Sequence, residues 1–255
     1  MSQRSTLRPL AEFPARERRG IRHVLVDIDD TLTTAGRLEA VAYNALERLA
    51  EAGLSVIPVT GRPAGWCDHF ARMWPVAAVV GENGAFAFWH DGRSRTLRRI
   101  WWLGAEEREQ SRARLRALGE RILSAVPGAA LAADQAYREA DLAIDFCEDV
   151  PRLPRSEVDR IVALFTAAGA RAKVSSIHVN GWFGSFDKLA MTRRLFAERF
   201  GLDLDLVRGQ ALFVGDSPND APMFGFFPHS VGVANVTDFL GRLEAEPTWL
   251  AENRG

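Results

Sequence analysis

The stretch that decides the fold is His23-Val24-Leu25-Val26-Asp27-Ile28-Asp29-Asp30-Thr31-Leu32-Thr33. Its first half is aliphatic and β-branched, which predicts a buried strand. Side chains two positions apart in an extended segment point to the same side, so Asp27 and Asp29 should face one small volume. Open α/β sheets bind ligands at this end of a strand. Two carboxylates this close repel by roughly 1 kcal/mol in water and by several at protein-like dielectric. The pair therefore indicates a divalent cation or a shared proton.

Other segments bring polar residues that such a pair would need. The apolar stretch 54–59 is predicted as a strand and runs into Thr60-Gly61-Arg62-Pro63. A second apolar stretch, 211–214, runs into Gly215-Asp216-Ser217-Pro218-Asn219-Asp220. Between them, Lys188 opens a helical pattern. Each motif alone is a weak signal, but four in this order, each at the end of a strand or the start of a helix, indicate one shared site.

The first part of the chain alternates strands and helices. Apolar residues recur every three or four positions over 38–49, which predicts a helix that Gly53 stops. A second helix is predicted over 64–73, and a third strand over 77–80 leads into the loop 81–85. Successive strand–helix–strand units imply parallel strands and right-handed crossovers. The predicted fold class is α/β, with a Rossmann-like doubly wound parallel sheet.

The pattern changes after Ala85. Asp91-Gly92 lies between two aromatic or branched runs and predicts a hairpin. Further elements are predicted as a helix over 105–125, a strand over 140–146, a helix over 156–168 and a strand over 172–179. This order is that of an α+β module inserted into the α/β core.

The predicted organisation has three parts. Residues 1–20 contain several arginines and are expected to be a flexible, solvated tail. The core is predicted to comprise 21–85 and 185–255, with 231–234 as its last strand, and the inserted α+β module to span 86–184. Hinges between core and module are expected near Ala85-Phe86 and Gly184-Ser185.

The composition narrows the functional classes. Of the 255 residues 47% are hydrophobic and 25% charged, as in ordinary soluble globular proteins. A net charge of -1 gives no bulk attraction to nucleic acid or anionic membranes. The chain has no secretory apolar segment and no run long enough to span a membrane. Cys67 and Cys147 match no metal-ligand spacing and are expected to be free thiols in a reducing cytoplasm. A monomer or homodimer is expected.

The four ordered motifs resemble those of the haloacid dehalogenase superfamily of phosphohydrolases. An α+β insertion at this point is similar to the large C2-type cap of its subclass IIB, which contains Cof-type sugar phosphatases, sucrose-phosphate phosphatase and archaeal phosphoglycolate phosphatase. The supporting fragments are Gly81-Glu82-Asn83-Gly84, Arg138-Glu139-Ala140 and Gly215-Asp216-Ser217-Pro218-Asn219-Asp220 with Ala221-Pro222-Met223-Phe224.

The resemblance implies catalytic roles for four residues. Asp27 would be the nucleophile that accepts the phosphoryl group, and Asp29 the general acid and base. That role requires an elevated pKa, which crowding beside Asp27 would favour. Thr60 and Lys188 would donate to the phosphoryl oxygens, which carry the developing negative charge.

The resemblance also implies a Mg²⁺ ion. Its ligands would be Asp27, the backbone carbonyl of Asp29, and Asp216, with Asp220 binding directly or through water, because Mg²⁺ prefers hard oxygen ligands. Asn219 would orient Lys188 or a metal-bound water. The residues assigned to substrate binding are Thr60, Gly61, Arg62, Asn83, Arg138, His178, Lys188 and Asn219. Many relatives have glycine where this chain has Asp30, and the added charge there is expected to affect metal affinity or anionic substrates, not catalysis itself.

The predicted function is Mg²⁺-dependent hydrolysis of a small phosphorylated metabolite through an aspartyl-phosphate intermediate. A sugar phosphate or a phosphorylated hydroxy acid such as phosphoglycolate is expected as substrate, with neither nucleic acid nor membrane as a partner. Two alternatives use the same fold. One is a phosphomutase or phosphotransferase with a different acceptor, and the other is a non-catalytic phosphometabolite-binding protein.

Overall fold

The computed structural model describes residues 7–255 and contains four β-sheets within that range. The strands are β1 (Arg8–Pro9), β2 (His23–Val26), β3 (Thr33–Thr34), β4 (Arg37–Leu38), β5 (Ser55–Pro58), β6 (Val79–Gly81), β7 (Phe86–Asp91), β8 (Thr96–Trp101), β9 (Ala130–Leu131), β10 (Asp141–Asp145), β11 (Arg171–Val174), β12 (His178–Trp182), β13 (Ala211–Gly215), β14 (His229–Gly232) and β15 (Trp249–Leu250). The α-helices are α1 (Ala15–Gly20), α2 (Ala40–Glu51), α3 (Ala64–Met73), α4 (Ala105–Ala125), α5 (Arg155–Ala167), α6 (Lys188–Leu195), α7 (Leu204–Val207) and α8 (Ala221–Phe226).

The largest sheet is wholly parallel and has the strand order β1-β15-β14-β13-β2-β5. All four residues of β2 are buried, as expected for a parallel strand with both faces covered. The predicted α/β fold with a doubly wound parallel sheet is confirmed. In the register of the two central strands, Val26 of β2 lies opposite Val214 of β13. Both strands end at the same edge of the sheet, so the residues that follow them meet there.

A second, antiparallel sheet has the order β11-β12-β10-β9 and lies under two helices. One of its faces is apolar, because residues such as Leu142, Ile144 and Val179 pack in one cluster with Ile122 of α4 and Phe165 of α5. Residues that alternate with these along the strands lie on the opposite face. That face carries the polar side chains Asp141, Asp145, His178, Asn180, Arg171 and Lys173. We call this face the polar roof, because several of its residues line the candidate site described below.

Two strand predictions were wrong. Residues 172–179 were predicted as one strand, but they form parts of β11 and β12, which pair antiparallel around Ser175-Ser176-Ile177. The strand predicted over 231–234 was expected to be the last, but β15 follows it and pairs with β14 in the parallel sheet. No glycine, proline or asparagine marks the 175–177 turn, and its local signal is the weaker one of a serine: Ser175 Oγ accepts hydrogen bonds from Ile177 N at 3.4 Å and His178 N at 3.0 Å.

The N-terminal prediction also differs from the structure. Residues 1–6 lie outside the described range, but the rest of the predicted tail is folded. β1 pairs with β15, and Arg8 lies over the ring of Trp249 at 4.0 Å. Phe13 is buried, with its ring centroid 5.1 Å from that of Trp249. These contacts join the two ends of the chain, so the composition of the first 20 residues alone does not indicate them.

The hairpin β7–β8 belongs with the parallel sheet. Ala87 and Ile100 share one apolar cluster with Leu25 and Ile57 of β2 and β5. From the sequence, this hairpin is predicted to lie in the inserted module, because the module is predicted to start at residue 86. The packing favours a boundary after Trp101, with α4 as the first element of the cap, and we propose that division.

Among residues 7–255, no helix combines the length and the apolar character needed to cross a membrane.

Candidate active site

The centre of the site is a buried lysine between two carboxylates. Asp27 directly follows β2, and Lys188 is the first residue of α6, whose N-cap residue Asp187 accepts a hydrogen bond from Ala190 N at 2.7 Å. The Nζ of Lys188 donates to Asp27 Oδ1 at 3.1 Å and to Asp220 Oδ1 at 2.7 Å. Burial alone would lower the pKa of Lys188, but Asp220 and Asp27 outweigh it and raise this pKa. The lysine is therefore a charged group fixed against Asp27.

Three carboxylates converge on this point. Oxygens of Asp27, Asp216 and Asp220 lie within 4.8 Å of one another, and all three residues are buried. Burial first, and then the carboxylates of Asp220 and Asp29, raise the pKa of Asp27 to about 7 against the opposing effect of Lys188. Burial, together with Asp220 and Asp27, also raises the pKa of Asp216 well above its usual range. One ammonium group thus faces three acids, and the site has an excess of negative charge.

The carboxylate of Asp220 is already engaged on both oxygens. Oδ1 accepts from Lys188, and Oδ2 accepts from the backbone N–H groups of Asp216 at 3.1 Å and of Ser217 at 3.4 Å. Asp220 therefore orients Lys188 and the loop after β13, which favours an indirect role in metal binding. Asp216 has weaker partners, with Thr31 Oγ1 at 3.4 Å and Asn235 Nδ2 at 3.2 Å.

Asn235 was missed at the sequence level. Its side-chain amide donates to Asp216 Oδ2 and also to the backbone carbonyl of Asp30 at 2.9 Å, so it connects two loops of the site. Asn235 lies three residues after the end of β14, and β14 is the neighbour of β13 in the parallel sheet. The rule that ligands gather at the carboxyl ends of parallel strands would have found it.

Asp29 and Asp30 follow Asp27 on the same turn. Asp29 is bound by Arg62, whose Nε donates to Oδ1 and Oδ2 at 2.9 and 3.0 Å and whose Nη2 donates to Oδ1 at 2.7 Å. Asp30 has a φ of 54°, in the left-handed region where glycine is favoured and aspartate is tolerated. This conformation accounts for the glycine that relatives are expected to carry there.

The predicted phosphate-binding residues lie around the same turn. Thr60 is buried, and its hydroxyl accepts a hydrogen bond from Arg62 N at 3.0 Å, which leaves its proton free to donate. Gly61 has Asn83 against it, since a Cβ at this glycine would lie 3.3 Å from the Asn83 amide. Asn219 accepts from Ser217 Oγ at 2.6 Å through Oδ1, so its amide nitrogen is available to a ligand.

Arg138 does not have the predicted freedom to bind substrate. Its Nε and Nη2 donate to Asp134 at 2.9 and 3.0 Å, and its Nη1 donates to Gly61 O at 2.8 Å and to Asp141 at 3.0 Å. The guanidinium is nearly inaccessible, with 1% of the side chain exposed. We therefore propose that Arg138 holds the cap on the loop at Gly61 instead of contacting substrate.

His178 and Arg62 meet a cap residue that was not predicted, Glu148. The Nε2 of His178 lies 2.8 Å from Glu148 Oε2, a close polar contact without good hydrogen-bond alignment. Arg62 Nη2 donates to Glu148 Oε1 at 3.1 Å. The contact with His178, and then the charge of Arg62, lower the pKa of Glu148 to about 2 in spite of partial burial. Glu148 thus carries a fixed negative charge at the roof of the site.

Glu82 is a second unpredicted residue. Its carboxylate is fully buried and accepts hydrogen bonds from four backbone N–H groups. One donor is Ala64 at the start of α3, and the other three are consecutive residues of the cap, Glu139, Ala140 and Asp141. The Gly-Glu-Asn-Gly motif therefore ties the cap to the core. Backbone donors exist in every sequence, so no side-chain pattern could reveal this contact.

Two adjoining cavities lie between the core and the polar roof. A small one of about 330 Å³ is lined by Asp27, Asp29, Gly61, Arg62, Arg138, His178 and Asn219, among others. A larger cleft of about 960 Å³, which includes space open to solvent, is lined by residues such as Asn83, Lys188 and Asn219. Asn219 borders both, so the small cavity beside the nucleophile and the larger cleft are neighbours.

Comparisons with known proteins give a family match for part of the chain. Residues 24–99 match the family model of the haloacid dehalogenase-like hydrolases. No functionally characterised protein in the curated set matches the sequence.

Solved structures share the fold over nearly the whole chain. Thermoplasma acidophilum 0175 is 22% identical with a TM-score of 0.66, and the match covers 91% of this chain and 92% of that one. The sucrose-phosphatase of Synechocystis sp. PCC6803, solved with sucrose and phosphate, is 15% identical with a TM-score of 0.63, covering 91% and 92%. A putative HAD/COF-like hydrolase from Plasmodium vivax is 17% identical with a TM-score of 0.65, covering 92% and 91%.

The family match spans β2, β5 and the loops that carry Asp27 and Thr60, and the fold extends the likeness through the cap. Residues 24–99 are therefore similar to the haloacid dehalogenase-like hydrolases, and the fold of the chain is similar to that of the solved structures named above.

Proposed function

We propose that this protein is a divalent-cation-dependent phosphatase that moves the phosphoryl group of a small phosphate monoester first to Asp27 and then to water. The observation that carries the proposal is the buried carboxylate of Asp27 with Lys188 Nζ at 3.1 Å, at the floor of a cavity whose walls carry hydrogen-bond donors. A phosphoryl group in transfer spreads its negative charge over three oxygens, so a fixed nucleophile among fixed donors is what its transition state requires.

The donor set fits a hard divalent cation such as Mg²⁺. Asp27, Asp216 and Asp220 offer only carboxylate oxygens, and their mutual repulsion raises the pKa of Asp27 and Asp216 beyond what burial alone would do. Asp27 and Asp216 would hold the ion, with the backbone carbonyl of Asp29, while Asp220 acts mainly through Lys188 and the loop. When bound, the ion neutralises charge on the phosphoryl oxygens and lets Asp27 remain ionised.

The chemistry would proceed in two displacements. In the first, an oxygen of Asp27 forms a bond to phosphorus while the ester P–O bond breaks, and the leaving oxygen takes a proton from Asp29. In the second, Asp29 takes a proton from water, the water oxygen bonds to phosphorus, and the bond between phosphorus and Asp27 breaks. The products are an alcohol and inorganic phosphate, and both aspartates return to their starting state.

The hydrogen bonds of the site support further proposed roles. Lys188 would neutralise charge on both Asp27 and the phosphoryl group, and the Thr60 hydroxyl and the Asn219 amide would donate to phosphoryl oxygens. Arg62 holds both oxygens of Asp29, so one of these bonds must open before Asp29 can exchange a proton. The fold is shared with a sucrose-phosphatase solved with sucrose and phosphate, which supports a small phosphorylated metabolite as substrate.

The test is release of inorganic phosphate from a panel of phosphorylated metabolites with Mg²⁺, alongside EDTA and the Asp27→Asn variant. We expect turnover that EDTA abolishes and that Asp27→Asn lowers by a factor of 10³ or more. Asp205→Asn is the matched control, because its carboxylate is 53% exposed on α7.

Free phosphate released without an added organic acceptor separates hydrolysis from transfer to a second metabolite. Turnover that survives both EDTA and Asp27→Asn would contradict the assigned site. Binding of the same compounds without any turnover would favour the non-catalytic alternative.

A further inference from the structure

The two lysines of this chain border the same cleft. Of its 32 lysines and arginines only Lys173 and Lys188 are lysines, so a basic side chain is otherwise always arginine. Both line the 960 Å³ cleft, which shares Asn219 with the cavity beside Asp27. Lys188 comes from the core and Lys173 from β11 of the cap. A substrate whose phosphoryl group lies at Lys188 would extend its leaving group into the cleft that Lys173 borders.

The strand register places Lys173 on the roof of the site. Lys173 lies opposite Asn180 in the antiparallel pair of β11 and β12, and directly opposed residues project from the same face of a sheet. Asn180 lines the small cavity together with Asp27 and Asp29. Its partner Lys173 is therefore on the face that is turned toward the core, not on the apolar face covered by α4 and α5.

The charge around Lys173 is unbalanced. Among residues 7–255, no carboxylate oxygen lies within 4.0 Å of its ammonium, although the residue is half-buried. Arg171, two positions away on the same face, is 4.0 Å from Asp187. On its other side Lys173 borders a groove of about 1270 Å³ whose other charged lining residues are three arginines, Arg152, Arg155 and Arg242, and one acid, Asp159. A half-buried ammonium among further cations favours an anionic ligand over a neutral one.

We propose that Lys173 is a substrate-binding residue that recognises a second anionic group, a carboxylate or a phosphate, on the leaving portion of the phosphate monoester. This inference rests on the proposed phosphatase function and adds the charge of the substrate to it. An ammonium on a flexible stem serves as a point charge for either anion, whereas arginine would favour one planar, two-point geometry. The protein then prefers phosphate monoesters whose leaving portion carries a second negative charge over sugar phosphates whose leaving portion is uncharged.

The test compares pairs of esters that differ in this charge alone. Carboxymethyl phosphate (phosphoglycolate) is matched with 2-hydroxyethyl phosphate, and 3-phosphoglycerate with glycerol 3-phosphate. The two pairs sample two distances between the phosphoryl group and the second anionic group. For each pair the ratio of kcat/KM, anionic over neutral, is measured in the wild type, Lys173→Gln, Lys173→Arg and Arg160→Gln. Arg160 is the matched control because it is a cation of the cap on α5 with 53% of its side chain exposed.

We expect the wild type to prefer the anionic member of at least one pair by tenfold or more. Lys173→Gln should lower that ratio at least tenfold, mainly through KM, while Lys173→Arg keeps most of it and Arg160→Gln leaves it unchanged. Calorimetric binding of the same esters to Asp27→Asn and to Asp27→Asn/Lys173→Gln measures the preference without turnover.

A ratio near one in the wild type for both pairs, or a Lys173→Gln variant that loses activity on both members equally, would overturn the inference. Its failure is distinct from that of the proposed function. Phosphate release that requires Asp27 but shows no charge preference refutes only the role of Lys173. No release and no binding of any ester refute the phosphatase itself, and the role of Lys173 with it.

Discussion

The guanidinium of Arg62 holds both carboxylate oxygens of Asp29, through three hydrogen bonds of 2.7 to 3.0 Å. Arg62 is in turn bound by two acids of the cap, Asp134 at 3.3 Å and Glu148 at 3.1 Å. The residue proposed as general acid and base is thus oriented by an arginine whose own position depends on the cap. This chain of contacts connects the placement of the cap to the chemistry of the site.

Arg62→Lys should therefore impair catalysis more than substrate binding. Lysine keeps the positive charge but cannot donate to both oxygens in the fixed geometry of a guanidinium. We expect kcat to fall by roughly 10- to 100-fold because Asp29 loses its orientation. Steady-state kinetics on the best substrate of the panel measure this effect. A raised KM with an unchanged kcat would show instead that Arg62 binds substrate directly, as the sequence predicted.

Lys188→Met should remove activity and destabilise the fold. It leaves the buried carboxylates of Asp27 and Asp220 without their cation, and breaking a buried ion pair costs about 3 kcal/mol or more. The second substitution Asp220→Asn, added to Lys188→Met, removes one of the stranded charges and should recover part of that loss without restoring activity. Urea denaturation at neutral pH without divalent cations measures both variants. Equal stability of the single and double variants would contradict this account.

Much of the site could be predicted from one feature of the sequence, the polar turns that follow its apolar strands. Asp27 and Asp216 follow strands that are neighbours in the parallel sheet, so their convergence could be predicted from two apolar runs and the polar turns behind them. Lys188 was found because it starts a helix within an ordered series of motifs. The alternation of strands and helices could also be predicted, because the period of the apolar residues indicates which face of each element is buried.

The remaining features depend on contacts that a sequence does not display. Glu82 binds backbone N–H groups of the cap, which any residues would provide. The sequence predicted Arg138 as a substrate-binding residue, but in the folded protein Asp134 and Asp141 occupy its guanidinium donors. The short strand β1 is stabilised by a partner at the far end of the chain. In each case the deciding partner is distant in sequence or carries no distinctive side chain.

Glu148 should make the fold sensitive to acid. Its pKa in the folded protein is about 2, because of His178 and Arg62, and lies below the ordinary value of 4.5. A depressed pKa stabilises the fold above pH 4.5, and that contribution is lost as pH falls from about 4.5 to about 2. Glu148 is partly exposed, so solvent screening limits the contribution to about 1 kcal/mol.

The corresponding measurement is urea denaturation of the wild type and Glu148→Gln at pH 7 and pH 3. The variant should be less stable at pH 7, and the difference should shrink at pH 3. Asp149→Asn serves as control, since it removes the adjacent acid and not the contact with Arg62. A difference that is the same at both pH values would show that Glu148 acts through packing and not through its charge.

Glu82→Gln should weaken the attachment of the cap. The carboxylate accepts from four backbone N–H groups, and the amide nitrogen of glutamine would face some of these donors instead of accepting from them. Each buried donor left unsatisfied costs about 1 to 3 kcal/mol, so we expect a loss of about 2 to 4 kcal/mol in the free energy of unfolding. Glu120→Gln on α4 is the control. If Glu82→Gln and the wild type have the same midpoint urea concentration of unfolding, the buried carboxylate does not hold the cap.

Gly84→Ala tests whether the Gly-Glu-Asn-Gly turn sets the position of the catalytic lysine. Gly84 has a φ of 106°, and a Cβ there would lie 2.1 Å from the carbonyl oxygen of Asp187 and 2.9 Å from Lys188 N. The start of α6 must move to admit a methyl group, so Lys188 should shift from Asp27. We expect kcat to fall at least tenfold and stability by about 2 kcal/mol.

Gly53→Ala is the matched control, because Gly53 also has a positive φ, 81°, but no atom within 4 Å of an added Cβ. It should cost about 1 kcal/mol and leave kcat unchanged. Equal kinetic effects of the two substitutions would mean that a left-handed backbone alone, and not contact with the start of α6, explains the loss.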